Sequence, residues 1–148
     1  MKVTVILILA LLTGCASITP ESTTTEPTLY LAYEGYRHEV SKENIQASYT
    51  KYFSHDLVAG KNIENKEVVD QLLFKDYMSR MDSHHENIRG QKGCLTINGY
   101  DKEGMPLSFN IEYVPIDQRW LIRAIEILFV NDVHEFSQKG RCPGEYLN

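Results

Sequence analysis

The chain has 148 residues, 43% of them apolar and 24% charged, which is the range of an ordinary globular protein with material for one core and excludes a second large domain. Twenty acidic residues against fifteen basic ones give a formal charge of −5. An acidic surface holds phosphate backbones poorly, so nucleic acid is not an expected partner.

The N-terminus carries Lys2, then an apolar run from Val3 to Leu12, then small residues. A basic end, a short apolar core and a small-residue cleavage zone are the parts of a secretory leader. The run is about half the ~20 residues a membrane-spanning helix requires. Leu12-Thr13-Gly14-Cys15 resembles the lipobox of bacterial lipoproteins. The resemblance implies that residues 1–14 are a signal peptide and that Cys15 carries diacylglycerol as the first mature residue. With Ala16 and Ser17 rather than aspartate after the cysteine, it also implies the periplasmic face of the outer membrane. Each buried CH₂ of an acyl chain contributes ~0.8 kcal/mol, so two or three chains make the membrane a durable partner without help from the protein surface.

Residues 15–28 are almost devoid of large apolar side chains and read as a tether. As a random coil of about twelve residues it spans ~20 Å. Residues 29–148 then form a single domain. Ser41 is placed to cap a helix whose Ile45, Tyr49, Tyr52 and Phe53 fall on one stripe. The stretch from His55 to Asn65, with Gly60, breaks it. Asn65 is placed to cap a second helix with Val69, Leu72, Leu73, Tyr77 and Met81 on one side.

From Cys94 the period changes to two. Leu95 and Ile97 alternate with Thr96 and Asn98, and Leu107, Phe109, Ile111 and Tyr113 alternate with Ser108, Asn110 and Glu112, the pattern of a sheet with one wet face. Asp101 to Gly104 supplies a hairpin loop, and Pro115 to Gln118 a turn. The last strand, Arg119 to Val130, changes parity between Ile122 and Ile125. Either a bulge near Ala124 restores one face, or the strand is buried on both. Both versions put it in the middle of the core, with Trp120 as an anchor. His85 to Arg89 is a candidate short fourth strand.

The predicted class is α+β: two N-terminal amphipathic helices packed on a curved antiparallel sheet. With Tyr52-Phe53-Ser54 ending the first helix, the alternating strand from Phe109 to Tyr113 and Trp120-Leu121-Ile122 opening the last strand, this resembles the NTF2-like (cystatin-like) fold. The resemblance is architectural and spans roughly Tyr36 to Val130.

With Cys15 assigned to lipid, Cys94 and Cys142 remain, and an even remainder in an oxidising compartment predicts a disulfide. It closes a loop of about 48 residues and clips the C-terminal tail to the sheet. By alternation Cys94 points opposite to Leu95 and Ile97, so the tail is expected on the outer face or at the edge of the sheet.

His84 and His85, with Asp82 and Glu86, form the one cluster that invites a metal, but adjacent residues diverge on any regular element, so a solvated helix end is the reading and no metal site is expected. No nucleophile elbow, phosphate loop or Cys-x-x-Cys occurs, and no cofactor is expected. Tyr49, Tyr52, Tyr77 and Tyr113 stand where an NTF2-like cone could use them, chiefly as packing residues with hydroxyls at the rim. Three functions follow. The first is a non-catalytic lipoprotein that binds an envelope protein or an apolar small molecule. The others are an NTF2-like enzyme with a concealed Asp/Tyr acid–base pair, and a periplasmic immunity or inhibitor protein.

Overall fold

The computed structural model describes residues 28–145, so the leader, the lipobox with Cys15 and nearly all of the tether lie outside the described residues. Its first element is a helix the stripe analysis did not find. α1 (Leu29–Glu39) is capped by Thr28, whose hydroxyl accepts from the Leu31 amide, and it buries Leu29, Tyr33 and Tyr36 at i, i+4 and i+7. Two further amides of its first turn donate to one carboxylate: Leu29 N to Glu86 Oε2 at 3.1 Å and Tyr30 N to Glu86 Oε1 at 2.8 Å. A negative charge at a helix N-terminus also opposes the macrodipole favourably.

α2 (Ile45–Tyr52) matches the first predicted helix, but Ser41 does not cap it. The Ser41 amide instead donates to Asn44 Oδ1, which folds the residues before the helix into a turn. A four-residue helical turn, α3 (His55–Val58), occupies the predicted break, and Gly60 follows it with φ +72°. Asn65 caps α4 (Lys66–Leu72) as expected. α4 is shorter than its stripe: Phe74–Tyr77 is a 3-10 turn, and Met81 already belongs to a strand.

Four antiparallel strands follow in the order β1-β2-β3-β4: β1 (Arg80–Arg89), β2 (Lys92–Tyr100), β3 (Pro106–Ile116) and β4 (Arg119–Phe129). β1 is ten residues long, and His84 and His85 lie within it rather than at a helix end. The turn between β3 and β4 is the pair Asp117-Gln118, both with positive φ, as a tight primed hairpin requires. Pro115 lies inside β3, opposite Trp120.

The bulge on β4 is present. Glu112 faces Ala124 and Tyr113 faces Ile122, which leaves Arg123 as the extra residue. Its consequence is that Ile122, Ile125, Ile127 and Phe129 all fall opposite the inner residues of β3. β4 is nevertheless an edge strand and not the middle of the core, because among the described residues nothing pairs beyond it except Phe53, which bridges Ile122 in parallel. Trp120 is accordingly only partly buried at the rim.

The helices cover the inner face. Tyr36 stacks on Phe74 at 5.0 Å, Phe74 meets Phe109 edge-on at 5.3 Å, and the Tyr36 hydroxyl donates to the Leu72 carbonyl. α1 lies so close to β2 that a Cβ on Gly93 would stand 2.6 Å from Leu29. The α+β class thus holds, with more helix than expected.

The opposite face is not wet. Thr96, Asn98, Ser108 and Asn110 are buried beneath the C-terminal segment 131–145. They bond one another and the tail: Thr96 Oγ1 donates to Asn110 Oδ1, Ser108 Oγ to Asn98 Oδ1, Asn98 Nδ2 to the Ser137 carbonyl, and the Arg141 amide to Thr96 Oγ1. A buried polar row is tolerable when its members are paired in this way. The tail is held there by the predicted Cys94–Cys142 disulfide, with Cα atoms 4.7 Å apart. Gly140 crosses directly over the sheet backbone, where a Cβ would stand 2.4 Å from the Cys94 carbonyl.

Candidate functional site

The inner face is incompletely covered along β4. Ser54 N donates to the Ile122 carbonyl at 2.8 Å, which pins the start of α3 to β4 just before the bulge. Beyond the bulge, Ile125 and Ile127 stay partly open, and a cleft of about 430 Å³ lies between them and α3–α4. Its other walls are Leu57 from α3, Val68 and Leu72 from α4, and Phe74 and Tyr77 from the 3-10 turn. Its polar residues are Lys61 and Gln71. Small-molecule sites are typically ~300–1,000 Å³, concave and mostly apolar with a few polar groups.

Tyr77 also borders a second hollow, of about 550 Å³, whose wall includes the exposed ring of Phe129. Three of the four acids there approach lysines, Asp70 with Lys66 at 2.7 Å, Asp76 with Lys75 at 3.1 Å and Glu103 with Lys102 at 3.6 Å, and Asp101 accepts from the Glu103 and Met105 amides. Among the described residues no Asp or Glu is buried.

Of the tyrosines singled out in the sequence, only Tyr77 reaches the cleft. Tyr113 is wholly buried, and burial pushes its hydroxyl pKa well above the ordinary tyrosine value; that hydroxyl has no hydrogen-bond partner among the described residues. Tyr52 donates to Glu39, which also accepts from Lys51; those bonds lower the Glu39 pKa. Tyr49 packs against the core from outside.

The two histidines diverge, as adjacent strand residues must. His84 stacks on Tyr30 with ring centroids 3.7 Å apart, and His85 faces the tail with Nε2 buried and unpartnered among the described residues. The one place where metal-type ligands converge among the described residues is Cys94, Cys142 and Glu145, and there both sulfurs are bonded to each other. Glu145 instead accepts from the Cys142 amide at 3.2 Å.

Sequence reasoning missed Leu57, Lys61, Val68 and Gln71. The available signal was the break itself: a glycine turn between two helices beside a strand of shifted parity leaves an uncovered apolar row. No family model matches the chain, and no curated protein or solved structure matches it either.

Proposed function

We propose that the protein is a non-catalytic, lipid-anchored lipoprotein of the bacterial outer membrane, exposed to the periplasm, whose single NTF2-like domain binds an apolar small molecule in the cleft beside β4. The observation that carries the reading is the composition of that cleft: seven apolar or aromatic walls, one lysine, one glutamine, and no carboxylate, histidine or cysteine. Acid–base chemistry needs a titratable pair within reach of the substrate, and the cleft offers only Lys61 and Tyr77, borne by different elements.

Export is supported by the leader, by Leu12 to Cys15 and by the disulfide, a bond that persists in oxidising compartments. No described helix is long and apolar enough to cross a membrane, so lipid on Cys15 is the anchor in this reading. The finer fold assignment is supported by helices that precede a four-stranded antiparallel meander with a bulge in its last strand.

The test is equilibrium dialysis of radiolabelled octanol against the lipidated chain in nanodiscs, with empty discs subtracted. Saturable binding of about one equivalent, abolished by Val68→Trp at unchanged thermal stability, is the expected result. Uptake no greater than that of empty discs removes the binding function. Labelled palmitate should enter the wild type and not Cys15→Ser, and an unlabelled wild type removes the anchor.

A further inference from the structure

The cleft carries one formal charge, and it is positive. Lys61 stands at the mouth, just after the left-handed Gly60, with its amide donating to the Val58 carbonyl at 3.0 Å, so the backbone that presents it is held by the turn closing α3. Its side chain is exposed, the geometry in which a lysine lays its alkyl stem along apolar surface and keeps the ammonium in water.

Among the described residues Lys61 belongs to no ion pair. On the flanking elements Asp56 approaches Arg123 at 3.9 Å and Asp70 approaches Lys66 at 2.7 Å. Glu64 and Glu67 stand nearby in sequence, and neither lines the cleft. In a chain of net charge −5, an unpaired cation at the rim of an apolar cleft marks the sign of the ligand's polar end.

We infer that the cleft takes a single-chain amphipathic anion, of which a fatty carboxylate is the simplest member, with its alkyl chain between Leu72, Phe74, Ile125 and Ile127 and its head group at Lys61. This rests on the apolar-ligand reading above and adds to it the charge and the orientation of the ligand. The cleft volume of about 430 Å³ suits one alkyl chain.

Octanoate, octanol and octyltrimethylammonium share a chain and differ in head group, and they are compared on the lipidated chain in nanodiscs with empty discs subtracted. Octanoate should bind up to about five-fold tighter than octanol at low salt, the range of an exposed ion pair, and the cation should bind weakest. The advantage of octanoate should shrink in molar salt and vanish in Lys61→Gln, read as the ratio of octanoate to octanol affinity so that any packing lost with the lysine stem cancels. Each added methylene should tighten binding about four-fold, the factor that ~0.8 kcal/mol per buried CH₂ gives. Octyl phosphate in a fourth arm separates a carboxylate preference from a general anion preference; equal binding extends the class to phosphate heads and leaves the inference standing. If octanol binds as tightly as octanoate, or Lys61→Gln retains the preference for octanoate, the inference falls and the apolar-ligand reading stands. If none of the ligands binds, both fall.

Discussion

The Tyr113 hydroxyl is buried in the core without a partner among the described residues. A buried, unsatisfied donor costs ~1–3 kcal/mol relative to an apolar group of the same shape, so Tyr113→Phe should stabilise the domain, by about 1 kcal/mol. Thermal denaturation should show a midpoint several degrees higher. A lower midpoint contradicts the placement of that hydroxyl. Tyr33 and Tyr36 are also raised in pKa, by burial first of all. All three stay neutral in the fold and titrate near pH 10 once unfolded. Above pH 10 the unfolded chain therefore holds fewer protons than the native one. Stability is complete below pH 10 and falls as pH rises through and beyond it, by up to ~1.4 kcal/mol per pH unit for each tyrosine. Tyrosinate absorbance should show these three ionising only as the circular dichroism collapses; smooth titration of every tyrosine in the folded protein would contradict their burial.

Arg123 is the extra residue of the β4 bulge. Deleting it leaves Ile122, Ala124 and Ile125 opposite Tyr113, Glu112 and Ile111 in a regular ladder, so Ile125 and Ile127 keep the inner face and the deletion variant should fold, losing only the local bend. Inserting a residue after Ala124 instead turns both isoleucines toward the tail side and should prevent folding. Arg123→Ala keeps the bulge and loses only the contacts with Glu112 at 3.5 Å and Asp56 at 3.9 Å, which should cost less than about 1 kcal/mol by urea denaturation. An insertion variant as stable as the deletion variant would mean that the side-chain parity of β4 does not set the register. This element was legible in the sequence because the parity change between Ile122 and Ile125 is a local signal. α1 was not, although Thr28 is an ordinary capping residue: its buried stripe is largely tyrosine, and the carboxylate that completes its cap lies 57 residues further on. α4 was drawn too long because Tyr77 and Met81 fall at helical spacing from Leu73 while the chain has already turned into a strand. The wet face was misread for a related reason. Alternation reports which side a residue takes, and the tail that covers that side is set by pairings such as Asn98 with Ser137, 39 residues apart.

At the scale of the whole molecule, the disulfide closes a 48-residue separation and holds the tail over the polar row of the outer face. Chain entropy makes such a closure worth ~4 kcal/mol, so Cys142→Ser should lower stability by up to that amount. It should also release protection of the β2 and β3 amides beneath the tail in hydrogen exchange. Unchanged protection would show that the hydrogen bonds alone hold the tail. The cleft lies on the other side of the sheet, so the same variant should bind octanol as the wild type does. Half of the cleft was legible beforehand, since Tyr77 and the isoleucines of β4 stood out. The other half was not, because Leu57, Lys61 and Val68 come together only when Phe53 pairs with Ile122 and brings α3 against β4. The central claim is that this cleft, and not another surface, receives an apolar ligand. Methyl NMR of isoleucine- and leucine-labelled protein titrated with octanol tests it most directly. Saturable shifts confined to Leu57, Leu72, Ile125 and Ile127, with Leu29 and Ile45 still, are the predicted result. Shifts absent from those four methyl groups, or spread evenly over the domain, would contradict it.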